Sequence, residues 1–586
     1  MDFHIVDLLI IFGYLVGVAA VGFVIRKQAT KKLDSFYLAD RNIPWWMLGI
    51  SGSSSYIDIG GTMALVGAMF FLGLQAIWMT HIFWGWLIIC FFMAFQAKYI
   101  RRSGVMTFAE WNKTRFGEDR DAEMARVAAA TFLLILMIAN LMFIAVGTGK
   151  FAEEFLPFDR WVSVAIVFGV VGLYVTLGGF FGVIITDIIQ TFLIFVGAIL
   201  LSIYAFGAGD VATMIAGKAA AWSDLAPQWT LWTGYLKEAP EAYHHYYFFG
   251  PMLMAGFSWL IFRVLSGPNV WDFQFFLTTR SARDASLAAG MWTVGYTLRW
   301  VIACAFMVLG FFWLDTSSGF DGEKIMPLVL KNLPVGMQGM LMAILLAALM
   351  STLSAMINVT SSVITNDFIK RYLMKHLTEK QAVRWGQLAS ILAITLGFVF
   401  SLGFDDVVTA WETMIFVVVT MILVPATFRW HWWRYSAKAF VWGMIVTAAI
   451  IIVQKVFFAH WHPNLALAFN IWMSFIACIY IGFVFTPTDK EVLIRFYSSV
   501  RPFGVWGPIR RECEARGLTP ANDKMPTLDI LNGLMTVVFQ ASLALIPFFA
   551  FLEMWDNFAT WIGVFFAVGL LLYFTWYKTL PAREEG

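Results

Sequence analysis

Apolar runs long enough to cross a bilayer follow one another along this chain, and they leave it few ways to fold. Lipid offers no water to backbone N–H and C=O groups, so each spanning run must be a helix that bonds to itself. About fifteen such runs can be read from the apolar pattern. They lie near 5–25, 47–70, 73–97, 127–148, 161–177, 180–206, 248–267, 288–314, 336–366, 385–402, 407–428, 438–457, 465–486, 526–551 and 557–577. The expected fold class is an all-α polytopic membrane protein in a lipid bilayer. Of the 586 residues 60% are hydrophobic and 13% charged, which fits that class and no soluble one. The 27 Trp suit the two interfacial belts. A net charge of +2 argues against a nucleic-acid partner. The four Cys show neither a disulfide framework nor metal-ligand spacing. No basic stretch precedes the first apolar run, which therefore reads as a retained helix and not a signal peptide.

Most of the 40 Lys and Arg fall in loops on the side reached after the first run, among them Arg26, Lys27, Arg101, Arg102, Lys370, Arg371, Arg510 and Arg511. The positive-inside rule makes that side cytoplasmic, with the N-terminus outside and the C-terminus inside. A plasma membrane of the bacterial inner-membrane type is the expected location. The outside stretches 207–247 and 315–335 are long enough for short helices or lids. The inside stretch 488–525 is the largest soluble piece and too short for a domain of its own.

Polar residues inside apolar runs carry the chemistry. Ala347-Ala348-Leu349-Met350-Ser351-Thr352-Leu353-Ser354 sits deep in the ninth run. Ser351 and Ser354 share one helix face, and the two alanines admit a close backbone. Such hydroxyls either bond back to the carbonyl one turn earlier or offer oxygens to a small hard cation. A second polar stretch, Ser51 to Gly61, interrupts the second run, and Ser266-Gly267-Pro268-Asn269 ends the seventh. Gly, Ser and Pro weaken a helix there and free carbonyls for an ion or solute. Runs two to six and seven to eleven form two sets of five, the second inverted, and in such plans the site lies where interrupted first helices meet.

These stretches resemble the sodium:solute symporters, the family of the sodium/glucose and sodium/proline symporters, whose core is the five-plus-five inverted repeat of LeuT. Gly178-Gly179 with Thr186-Asp187 and Gln190 is similar to a family signature. Ala347–Ser354 with Ser361, Ser362, Asn366 and Asp367 is similar to its sodium-site helix, and Tyr37 to Arg41 with Pro44-Trp45-Trp46 to the lead-in of its first core helix. The resemblance implies an organisation of 1–46 (extra helix and cytoplasmic lead-in), 47–206 (first repeat), 207–247 (external loop), 248–428 (second repeat) and 429–586 (peripheral helices). It implies a sodium ion held by carbonyls of Ser54, Ile57 and Ala348 and by hydroxyls of Ser351 and Thr352. Asp187, Ser351 and Ser354 match a second sodium set in some members, but Ala355 stands where those carry another Ser.

Buried charges are the other candidates. Asp187 has either a cation role or a cheap place at the cytoplasmic start of its helix. Asp58 binds solute or ion, or pairs with Arg263 or Arg299, which read as the two basic residues inside runs. Arg263 suits a carboxylate or a polyhydroxy solute, with pairing to Asp272 as its structural role. Tyr56, Gly61, Trp259, Asn269, Trp411 and Glu412 complete the candidate solute residues, with Trp271 a further stacking candidate. Galactose-type members line their site with Gln, Glu, Asn and Lys; the matching positions here are Gly61, Thr80, Phe262 and Tyr296. The reading is a sodium-driven importer of a small organic solute, sugar first, carboxylate or amino acid next. Proton coupling through Asp58 or Asp187, and a membrane sensor that binds without transport, are the rivals. The eight His lie mainly in loops, and no His or Cys cluster, acyl-transfer triad or phosphate loop supports an enzyme. These residues set neither the solute, nor the stoichiometry, nor the oligomeric state.

Overall fold

The computed structural model describes all residues except 1–3, 30–32, 106, 154–158, 219, 232–243, 245, 268–271, 316–319, 520–524 and 582–586. The described residues are almost wholly helical. Among the described residues ten helices are each long and apolar enough to cross a bilayer, and two bent pairs, each taken as one span, raise the number to twelve. The fifteen expected runs exceed that number at three places. Runs five and six form one continuous stretch, Arg160–Phe206. Run seven is Phe249–Leu265, only 17 residues. Run eleven is divided into Val407–Thr413, Met414–Val419 and Thr420–His431, the middle piece a π-helix.

The stretch Arg160–Phe206 would be about 70 Å long if straight, more than twice a hydrocarbon core. It doubles back at Gly179, whose φ of 51° and ψ of −159° are not helical. Tyr174 donates to the Met350 carbonyl at 3.0 Å, and Gln190 donates to Tyr14, whose hydroxyl reaches the Met350 sulfur. On a straight helix Tyr174 and Gln190 would stand about 24 Å apart. The turn requires glycine twice over. Its φ is in the left-handed region, and a Cβ there would lie 2.7 Å from the Phe36 carbonyl.

One helix lies at the centre. Met337–Leu373 has 89% of its apolar window buried, whereas Trp555–Thr579 has 6%, at similar mean hydropathy (2.2 and 1.9). The difference is in side-chain size and polarity. The central helix carries Ala347, Ala348, Ser351, Ser354, Thr360 and Ser361, which let neighbours approach and need partners. The outer helix presents Phe566, Leu570 and Leu571, which lipid solvates. The first helix is fixed to the central one by Asp7, a residue the sequence pattern did not single out. Its buried carboxylate accepts from the N–H groups of Gly336 and Gly339, at 2.8 and 2.7 Å, capping that helix start.

The two ends of the bundle are sorted by loop. Arg41 bonds the Gly104 carbonyl, Arg101 that of Thr279, Arg102 that of Val500, and Glu379 accepts from the Leu33 N–H. Arg371 pairs with Glu123 at 2.8 Å. All these loops were expected on one side. At the other end Lys150 meets Glu323 and Asp321, and Gln75 bonds the carbonyls of Asp224 and Ala226. Arg263 and Arg299 are not the only basic side chains buried at helix positions. Lys98 pairs with Asp529 on Met525–Phe551, and Arg429 donates to Asn112 at 2.8 Å. Both lie at ends of apolar runs, where a boundary drawn by hydropathy left them outside.

Replacing Gly179 by Ala should strain the turn and crowd Phe36, lowering stability by about 1–3 kcal/mol. Thermal unfolding of the purified variant checks this; an unchanged melting temperature would remove the turn from Gly179.

Candidate functional site

The second run breaks where Ser, Gly and Asp accumulate. Helices Trp45–Ser54 and Ile59–Leu72 meet at 62° across Ser55–Asp58. Asp58 caps the second half: its carboxylate accepts from the Gly61 N–H, and its carbonyl accepts from the Thr62 hydroxyl. The hydroxyls of Ser54 and Ser55 both bond the Ser51 carbonyl, at 2.9 Å each. These bonds satisfy much of the broken backbone locally.

The central helix faces this break. Ser54 Oγ and Ser351 Oγ are 2.9 Å apart, and Ser55 Oγ lies 3.5 Å from Ser351 Oγ. Thr352 bonds back to the Ala348 carbonyl at 3.2 Å, and Ser354 to that of Ser351 at 2.9 Å. Back-bonding therefore accounts for Thr352 and Ser354, but Ser351 reaches across to the broken helix. The backbone of Ile57 closes the break by donating to the Ser54 carbonyl at 2.9 Å.

Asp187 joins the same group of oxygens. It is fully buried and accepts from the Ser51 hydroxyl. It does not sit at a watered helix start: it lies two turns beyond Gly179, and among the described residues no Lys, Arg or His pairs with it. A buried carboxylate without a counter-charge is costly, so Asp187 is neutralised either by a proton or by a bound cation.

On the other face of the break a cavity of about 70 Å³ takes Tyr56, Asp58, Trp259, Arg263, Arg299 and Thr352 into its wall. Trp411 closes one side and packs on Phe143. Gly61 lines an adjoining pocket, and its Cα hydrogen faces the Arg299 guanidinium, which a Cβ would meet at 2.2 Å. Asp58 pairs with Arg299, not Arg263: Nη2 is 3.4 Å from Oδ2, and Nη1 donates to the Tyr56 carbonyl at 2.6 Å. The Arg299 guanidinium also lies 4.4 Å from the Trp86 ring centre. Tyr56 donates to Asp272 at 3.3 Å, and Asp272 sits in the field of Arg263. Arg263 Nη1 is buried without a hydrogen-bond partner among the described residues. Asn269, Trp271 and the side chain of Glu412 lie outside the described residues.

Two wall residues were missed in the sequence. Trp84 and Trp86 flank Gly85 where the third run bends by 55°. Gly85 has φ of 73°, and the Trp259 ring packs so closely that a Cβ would lie 1.9 Å from it. The signal was the triplet Trp-Gly-Trp inside an apolar run, hidden among many other Trp. His81, which the loop-based reading of the His residues passed over, is buried one turn before this bend and stacks on Trp300. Of the positions matched to galactose-type ligands, Thr80 turns back on its own helix and Phe262 packs away against Trp472 and Phe475.

Asp58→Asn keeps a capping oxygen but strands the Arg299 charge, and should cost about 3–5 kcal/mol. Adding Arg299→Gln should recover part of that loss. A double-mutant cycle by thermal unfolding checks it; additive losses would mean the pair is not coupled.

The model of the sodium:solute symporter family matches residues 36–447. The chain is 26% identical over 492 residues to sodium/glucose cotransporter 4 of Danio rerio, covering 77% of this chain and 71% of that protein. It is 24% identical over 496 residues to human sodium/myo-inositol cotransporter 2, covering 77% and 70%. Its fold is shared, with a TM-score of 0.63 at 20% identity, by a Na⁺-coupled sialic acid symporter solved in a substrate-bound outward-open state. That alignment covers 83% of this chain and 99% of the other. A broken second run against a small-residue central helix, and a family match over most of the chain, lead to one conclusion: this multi-pass membrane protein belongs to the sodium:solute symporter family and is a sodium-coupled transporter with a LeuT-type fold.

Proposed function

We propose that the chain imports a small uncharged polyhydroxy solute, a sugar or polyol, together with sodium. The observation that carries this reading is the balance of charge around the helix break. Asp58 is matched by Arg299, and Asp272 by the field of Arg263. Of these three carboxylates at the break, Asp187 alone pairs with no Lys, Arg or His among the described residues. One sodium beside it brings these five side chains to neutrality, and a charged solute would unbalance them. The cavity wall agrees. Trp84, Trp86, Trp259 and Trp411 offer faces for a sugar ring, while Asp58, Arg299 and Arg263 offer acceptors and donors for hydroxyls. The named cargoes of the two curated relatives, glucose and myo-inositol, are of this class.

Sodium would be held by the carbonyls of Ser54, Ile57 and Ala348 and the hydroxyls of Ser351 and Thr352. Neutral oxygens suit an ion that must be released again. Ser351 belongs to both this set and the Asp187 corner, so Asp187 acts on the same ion through charge. A second ion on Asp187, Ser351 and Ser354 lacks the further hydroxyl that Ala355 replaces, while Ser354, like Thr352, gives only its proton to a backbone carbonyl. The cavity, about 70 Å³, is smaller than ordinary ligand pockets of about 300–1,000 Å³, so the walls must separate to admit solute. The hinges for that movement are the breaks at 55–58 and 84–87, within two five-helix repeats of opposite orientation. The basic end of the bundle faces the cytoplasm of a bacterial-type plasma membrane. Inward sodium adds about 2.3 kcal/mol per 100 mV for each charge moved.

One observation favours a second reading. The unpartnered Arg263 Nη1 at the cavity wall would suit a solute carboxylate.

Uptake into proteoliposomes of a labelled sugar, polyol, monocarboxylate and amino acid, each under an inward gradient of sodium or of potassium at a fixed voltage, tests the reading. Sodium-dependent accumulation of the sugar or polyol alone is expected. Accumulation of the carboxylate alone would replace the first reading by the second. Ser351→Ala with Thr352→Ala should raise the sodium concentration for half-maximal uptake by about tenfold or more, since each lost contact to a charge costs about 1.5–3 kcal/mol. Unchanged sodium activation would refute the ligand set.

A further inference from the structure

A cavity of about 670 Å³ opens at the basic end of the bundle and shares no wall residue with the solute cavity. It lies between the start of helix Arg120–Ala152 and the π-helical run Val363–Leu373 that ends the central helix. Lys113, Arg126, Lys370, Arg371 and Lys375 line it, against the carboxylates of Glu110 and Glu123. These carboxylates do not use up the positive charge. Glu123 is taken by Arg371 through two hydrogen bonds, at 3.1 and 2.8 Å. Lys113 turns to Glu118 at 3.3 Å. Lys370 and Lys375 have no carboxylate partner among the described residues. Arg126 is only 7% exposed. Its Nη2 donates to Asp367 at 2.8 Å, and its Nε has no hydrogen-bond partner among the described residues.

Cations gathered around a concavity repel one another, and the low-dielectric walls focus their field on whatever occupies it. Two side chains hold the floor in shape: Asp367 accepts both from Arg126 and, at 3.1 Å, from Thr107. Guanidinium forks and lysine point charges in one wall match the oxygens of a phosphate group. The volume is that of a small-molecule pocket. The rim adds a second character. Leu373 (74% exposed) and Met374 (39%), set in sequence between the lining residues Tyr372 and Lys375, end a long apolar helix, as residues at a membrane–water boundary do.

We propose that this cavity binds a phosphate-bearing anion, supplied either as the headgroup of an anionic phospholipid whose chains lie along the Leu373–Met374 rim or as a soluble phosphate compound. Bound there, the anion ties helix Arg120–Ala152 to the end of the central helix. Both helices also wall the solute cavity, through Leu136 and Asn140 on one and Thr352 and Met356 on the other.

The test uses the full-length protein, delipidated in a non-ionic detergent. Melting temperatures are taken with dioctanoyl-phosphatidylglycerol, with dioctanoylglycerol as the phosphate-free control, and with inorganic phosphate. The same series is run on Lys370→Gln with Lys375→Gln, two exposed positions whose substitution leaves the fold intact, which the variant's unliganded melting temperature verifies. A rise of about 2–4 °C with phosphatidylglycerol, at least halved in the variant and missing with dioctanoylglycerol, is expected. A rise confined to the lipid identifies the lipid source, and a comparable rise with inorganic phosphate identifies the soluble one. No rise with either phosphate probe, an equal rise with dioctanoylglycerol, or a rise undiminished in the variant overturns the proposal.

Discussion

A helix interrupted in lipid has carbonyls and amides that water cannot reach, and the rest of this structure follows from how they are satisfied. Between Ser54 and Ile59 the chain spends its own side chains first: two serines bond the Ser51 carbonyl, and Asp58 caps the next helix. What local bonds cannot supply comes from the central helix, where Ser351 meets Ser54 across the gap. That contact demands close approach, and close approach demands small residues. Hence the alanines at 347 and 348, and hence the deep burial of this helix against others of equal hydropathy. The polar break and the small-residue helix are one feature seen from two sides.

Much of this was legible in the sequence because the physics of lipid is severe. Long apolar runs can only be helices, and Gly, Ser and Pro inside one announce a break. The run Ser51–Gly61 and the helix Ala347–Ser354 were found for that reason, and they do meet. Other features gave no such signal. The bend at Trp84–Leu87 lies among apolar residues, and its cause is tertiary: the Trp259 ring packs against Gly85. The fold-back at Gly179 was visible as two adjoining runs, yet nothing in hydropathy marks which glycine turns. Charges at run ends were misplaced for a related reason. Hydropathy windows end at Lys98 and Arg429, while the protein buries both by pairing them with Asp529 and Asn112, residues distant in sequence.

The candidate site shows the same division. Asp58 was recognised as a residue needing a partner, and sequence offered Arg263 and Arg299 equally. Only the three-dimensional arrangement assigns Arg299, which crosses from its helix to bond the Tyr56 carbonyl and the Asp58 carboxylate together. In doing so it pins both sides of the break with one side chain. Arg263 is left to Asp272, itself bonded by Tyr56. Tyr56 is therefore shared between the two charge pairs, its carbonyl serving one and its hydroxyl the other.

That sharing bears on how ion and solute can be coupled. The face of the break that holds Ser54, Ser351 and Asp187 and the face that holds Tyr56, Asp58 and Arg299 are separated by a few residues of one non-helical segment. On the proposed ligand set, a cation drawing the carbonyls of 54 and 57 toward itself would fix the φ/ψ of that segment, and with it the direction of the Tyr56 carbonyl and the Asp58 carboxylate. Those two groups hold Arg299, and Arg299 with Trp86 forms part of the solute wall. The ion would then lower the ordering cost that solute otherwise meets, a coupling without direct contact between the two cargoes. A continuous helix could not act in this way, because its carbonyls are already committed to its own ladder. On the proposed sites, the break, costly in lipid, would make one segment answerable to both.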